Sequence, residues 1–152
     1  MAATDEGLLV RREIEIEAAP EAVWEFLVDP EKAIRWMGIA ANLDARPGGV
    51  YRVEVQPGHH ASGEFVVVER PRRLVFTWGW EHHGPDGLRP GSTAVEFELV
   101  PARQSTLVRL THRQLPDGDA AASHAKGWQH YLSRLAVVAA GGDAGPDLDI
   151  QD

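Results

Sequence analysis

Apolar and charged positions alternate over residues 10–18, placing Ile14, Ile16 and Ala18 on one side and Arg11, Glu13, Glu15 and Glu17 on the other, with Arg12 the one interruption. A period of two with a charged face predicts a strand that rests on a core and turns its other side to water. The period then changes. Pro20 suits a first helical position, Glu21 complements the positive end of a helix, and Val23, Trp24, Phe26 and Leu27 recur at helical spacing, predicting a helix over 20–28. Asp29-Pro30 stops it and opens a second short helix over about 31–37, with Ile34 and Met37 on one side and Trp36 near its end.

Six more strands are expected, at about 39–45, 50–55, 62–69, 74–80, 94–100 and 106–114. Pro47-Gly48-Gly49, Pro57-Gly58, Pro71, the 84–91 loop and Pro101-Ala102 separate them. Connections this short favour an antiparallel meander. A helix over 119–140 closes the chain, with Ala125, Trp128, Leu132, Leu135 and Ala139 on one face and Gly141-Gly142 as its stop. A bent antiparallel sheet cannot bury its inner face alone, and this long helix is the available cover. The expected class is α+β, a helix-grip fold: a seven-stranded curved antiparallel sheet around a long C-terminal helix, with two short helices after the first strand. One domain would span 1–140, and the acidic 141–152 tail, which contains Pro146, would be disordered.

Composition narrows the function. With 152 residues, 43% of them hydrophobic, the chain suits one domain with a core that needs no staples. It has no cysteine, which removes disulfides, thiolate metal sites and thiol nucleophiles. A net charge of −8 opposes binding to a phosphate backbone, so nucleic acid is not an expected partner. Asp5 and Glu6 stand where a signal peptide would be basic, and no run approaches the roughly 18 apolar residues of a membrane span. The expectation is a cytoplasmic protein without a membrane partner.

Spaced signatures sharpen the fold. Pro20-Glu21-Ala22-Val23-Trp24, Arg35-Trp36-Met37, Arg46-Pro47-Gly48-Gly49, the Pro71 to Trp78 strand and Gly127-Trp128 occur in that order. This string resembles the family related to the C-terminal domain of the heat-shock protein 90 ATPase activator, within the START-like or SRPBCC superfamily that shares the birch-pollen-allergen fold. The resemblance spans about residues 11–140 and implies a cavity between sheet and final helix, commonly for apolar small molecules. The same fold hosts aromatase/cyclases, dehydratases and co-chaperone domains. The eukaryotic co-chaperone carries a separate N-terminal domain, whereas about seven residues precede the first strand here; direct chaperone activation is not the first expectation.

The candidate cavity residues are Trp36, Tyr51, Trp78, Trp80, Phe97, His112, His124 and Trp128. Each also has a plain reading as core, since Leu74, Phe76, Trp78 and Trp80 share one strand face, as do Val95, Phe97 and Leu99. His112 shares a face with Val108 and Leu110 and should point inward, though a one-residue slip would turn it out. It is the only catalytic candidate, able to act as acid or base near neutral pH or to bond a ligand carbonyl; the competing reading is a satisfied structural histidine. No carboxylate or nucleophile stands beside it in the sequence. His59-His60 and Glu81-His82-His83 fall in expected loops without metal-ligand spacing, so no metal and no cofactor are expected, and Glu81 and His82 would set polarity at the cavity mouth. His124 would reach the cavity's end and His130 would face solvent. Three functions remain: a monomeric or homodimeric protein binding a hydrophobic or aromatic small molecule, a polyketide cyclase/dehydratase-like enzyme using His112 with Glu81 or Tyr51, and an interaction module for a chaperone or other protein partner.

Overall fold

The computed structural model describes residues 8–81 and 88–147. Its elements run β1 (Leu8–Ile16), α1 (Pro20–Val28), α2 (Pro30–Ala33), β2 (Ala40–Leu43), β3 (Val50–Gln56), β4 (His59–Glu69), β5 (Arg73–Trp78), β6 (Thr93–Ala102), β7 (Ser105–Leu115) and α3 (Gly118–Ala139). One seven-stranded sheet has the order β1-β7-β6-β5-β4-β3-β2, with every neighbouring pair antiparallel. The expected helix-grip architecture is therefore present. Strands β2 to β7 form a meander, and β1 returns beside β7.

Local chemistry sets the boundaries. Pro20 begins α1, and the Asp29 carboxylate accepts from Glu31 N–H at 3.0 Å to cap α2. The second helix is shorter than expected, a single turn followed by a turn to Met37. Gly38 then takes φ +84°, and a Cβ there would lie 2.6 Å from the Glu54 carbonyl, so only glycine admits the step into β2. Strand β5 stops at Trp78 rather than Trp80, because Gly79 is pressed against the Arg89 backbone and Trp80 continues only through one isolated bridge to Ala61. His59 and His60, expected in a loop, lie at the start of β4; His82 and His83 lie outside the described residues. For α3, the Asp117 carboxylate accepts from Ala120 N–H at 2.9 Å.

The last helix covers the concave face, and its Trp128, Leu132, Leu135 and Val138 join Ile16, Trp24, Phe65, Leu74, Phe97 and Leu110 in one buried core. Part of the segment expected to be disordered is tied down. The Arg134 guanidinium donates to the carbonyls of Trp36, Ala144 and Gly145, and His130 meets Asp147 at 2.8 Å. Residues 148–152 lie outside the described residues. Among those described, no helix is long and apolar enough to cross a membrane.

The outer face of the sheet carries its charge in cross-strand sets. Glu96 on β6, only 6% exposed, takes a hydrogen bond from Arg73 on β5 at 2.7 Å and another from Arg113 on β7 at 2.6 Å. Burial pushes its carboxyl up, but the two guanidinium bonds outweigh that and hold it below its usual range. A depressed carboxyl contributes stability above its unfolded value and loses it as the pH falls through the folded one. Glu96→Gln is expected to lower stability by about 1–3 kcal/mol at pH 7. Its deficit against wild type should narrow in thermal melts taken from pH 5 down to pH 2; a deficit constant with pH would overturn the charge assignment.

Candidate functional site

Two clusters fill the cup. The first lies where the α1–α2 corner meets β2 and β3. Leu27, Trp36, Met37, Tyr51, Phe76 and Phe97 are among the residues lining an apolar pocket there. Trp36 is held by its own N–H, which donates to the Phe26 carbonyl at 2.8 Å, and its ring meets Phe97 edge-on with centroids 6.4 Å apart. Tyr51 stacks on Phe76 at 3.9 Å. Tyr51 is 3% exposed, and burial raises its phenol well above the ordinary value, keeping it protonated. The pocket's free volume is about 10 Å³, room for about one water, whereas a drug-sized ligand needs roughly 300–1,000 Å³.

The second cluster lies beneath the N-terminal half of α3 and contains Trp78, Trp80, His112, His124 and Trp128. Alternation along β7 turns His112 inward, and it is fully buried. Its register partners are Val95 on β6 and Val10 on β1, so the face read from the sequence is the face observed. Trp128 Nε1–H donates to His112 Nδ1 at 3.0 Å. His112 Nε2 lies 2.8 Å from Thr93 Oγ1, and that hydroxyl donates in turn to the Trp78 carbonyl at 2.7 Å. Since Nδ1 accepts and the Thr93 proton is already committed, only the neutral imidazole with its proton on Nε2 completes the chain. Burial, with a lesser push from His124, lowers the His112 pKa to about 3. His124 sits 4.9 Å from His112, ring to ring, and its Nδ1 is bonded to the Ala120 carbonyl at 2.9 Å.

Two donors here are left over. The indole N–H groups of Trp78 and Trp80 are buried without an acceptor among the described residues. An unmet buried donor of this kind costs about 1–3 kcal/mol. Their rings meet edge-on at 5.5 Å, and Trp78 in turn lies 5.3 Å from Trp128. The clusters are continuous, because Tyr51 lies 6.0 Å from Trp78 and Phe97 lies 6.2 Å from Trp128.

Glu81, expected at the mouth and as a possible proton partner, is engaged elsewhere. Arg52 grips its carboxylate at 2.8 and 3.0 Å, holding the pKa at about 2. Among the described residues no group of three or more His, Asp or Glu side chains is arranged to hold a metal ion. Thr93 lies one residue before the strand expected at 94–100, and its parity with Val95 and Phe97 places it on the inner face.

Because His112 is neutral when folded but titrates near 6.5 when unfolded, acid favours the unfolded chain. The stability contributed is complete above about pH 6.5 and is lost as the pH falls towards 3. His112→Gln is expected to be less stable at pH 7 but to lose less stability than wild type between pH 6.5 and 4, measured by chemical denaturation. Imidazole NMR signals of His112 should stay constant from pH 8 to 5, and a midpoint near 6.5 would overturn the assignment.

An AHSA1-like protein from Rhizobium etli has a solution structure with a TM-score of 0.75 and 43% identity, covering 95% of this chain and 89% of that one. CalU16 from Micromonospora echinospora is 27% identical with a TM-score of 0.69, covering 88% of this chain and 85% of its own. DynU16, described as a putative protein in the dynemicin biosynthetic locus, is 25% identical with a TM-score of 0.75, covering 90% of this chain and 49% of that one. No curated protein matches. Residues 17–140 match the family described as activator of Hsp90 ATPase homolog 1-like protein, and with that span covering most of the sheet and all of α3, the chain belongs to the AHSA1-like family.

Proposed function

We propose that this domain binds a small, flat, mainly apolar molecule between the α1–α2 corner and strands β2 and β3. The observation that carries the reading is the aromatic pocket walled by Trp36, Tyr51, Phe76 and Phe97, where Tyr51 is the one lining side chain with a hydroxyl. A ligand would gain about 25 cal/mol per Å² of apolar surface removed from water, less the cost of ordering it. With room now for about one water, the occupant must part the corner from the sheet edge. That edge is the lightest part of the fold, since α2 is one turn and β2 has four residues. The relative from a biosynthetic locus fits a small-molecule role.

A cyclase- or dehydratase-like enzyme needs a proton-transferring group facing this pocket. His112 has both ring nitrogens engaged and Glu81 is held by Arg52, so of the candidate groups Tyr51 alone faces it. This favours binding over acid–base chemistry.

The probe 2-ethylnaphthalene is expected to shift tryptophan fluorescence saturably and raise the melting temperature. Tyr51→Phe should leave that binding unchanged while weakening 2-naphthol by about 3- to 10-fold, the worth of one hydrogen bond. Absence of saturation with both probes up to their solubility limits would sink the reading.

A further inference from the structure

We propose that Trp78 and Trp80 form a carbonyl-recognition site at the α3 end of the cup, taking one oxygen of a neutral, largely apolar molecule through their indole N–H groups. The inference rests on the small-molecule reading above and specifies the chemistry of its ligand. Trp36 and Trp128, as deeply buried, each place their N–H on an acceptor, the Phe26 carbonyl and His112 Nδ1. Trp78, 3% exposed, and its neighbour Trp80 do not, although both nitrogens are shut off from water. Two unmet donors, on rings whose centroids lie 5.5 Å apart, equal in number the two lone pairs of one carbonyl oxygen.

The surroundings select a neutral acceptor. Around Trp78 stand Tyr51, Trp80, His112, His124 and Trp128. None of these is a lysine or arginine, and His112 is fixed in its neutral form by Trp128 and Thr93. A carboxylate would surrender its hydration for two N–H bonds and no counter-charge. A carbonyl oxygen accepts two N–H bonds and brings no donor that would need an acceptor in turn. The 6.0 Å approach of Tyr51 to Trp78 joins this site to the apolar pocket, so one ligand can place its rings in the pocket and its oxygen on the indoles.

The test compares 2-acetylnaphthalene, 2-ethylnaphthalene and 2-naphthoate on the full chain. The ketone is expected to bind about tenfold more tightly than the hydrocarbon, the worth of two modest hydrogen bonds, and 2-naphthoate should show no such gain. In the Trp78→Phe/Trp80→Phe double variant the preference should fall to about twofold or less, with 2-ethylnaphthalene affinity little changed. In the wild-type protein, the ketone but not the hydrocarbon should move the indole N–H NMR signals of Trp78 and Trp80, a readout independent of whether the variant folds. Equal binding of ketone and hydrocarbon, a preference that survives in the folded double variant, or unmoved indole signals would overturn the carbonyl site while leaving the pocket standing. Failure of both naphthalenes to bind would overturn the two readings together.

Discussion

The hydrogen-bond chain from Trp128 through His112 and Thr93 to the Trp78 carbonyl organises this molecule. It runs from α3 to β7, β6 and β5, inside the grip between helix and sheet. Hydrophobic burial alone would let the helix settle at several rotations over the concave face, since dispersion and area are indifferent to direction. A polar chain in a low-dielectric interior is not indifferent, because any rotation that breaks one link strands a buried donor or acceptor. The chain therefore sets where Trp128 sits, and with it the wall that Phe97 and Trp78 share.

That constraint also decides what His112 is for. An imidazole free to exchange protons is a natural acid or base near neutral pH; one that must accept on Nδ1 and donate from Nε2 is a strut. Among the described residues, the buried donors that the chain leaves unused are the indole N–H groups of Trp78 and Trp80. The interior around them is aromatic and nearly filled. The corner of α1 and α2 is fastened by a hydrogen bond from Arg134 to the Trp36 carbonyl and, from outside, by the ion pairs of Arg70 with Glu21 and Glu25. Exposed ion pairs of this kind are weak, typically under about 1 kcal/mol each, and present little resistance to movement.

Much of the architecture was legible from the chain. The alternation around Ile14, Phe76, Phe97 and Leu110 placed the inner face correctly, and the same parity put His112 inside. Boundaries were less legible where a backbone contact from a distant segment ended an element. Strand β5 stops at Trp78 because Arg89 packs on Gly79, and residues 144 and 145 are held because Arg134 reaches their carbonyls. The eight candidate residues do cluster, but Trp36, Tyr51 and Phe97 wall one pocket while Trp78, Trp80, His112, His124 and Trp128 form the neighbouring group.

The sequence by itself determined the element types and which side chains point inward, because strand and helix periods are local properties of the backbone. It could not say which inward polar atoms would meet. The links of the central chain join residues 15, 19 and 16 positions apart, across separate elements, and their geometry exists only once α3 has docked. Whether an indole N–H finds an acceptor, as at Trp128, or is left without one, as at Trp78, depends on that docking to within an ångström. The tertiary structure alone therefore decided that both ring nitrogens of His112 are engaged and that the Trp78 and Trp80 indoles are left without an acceptor among the described residues.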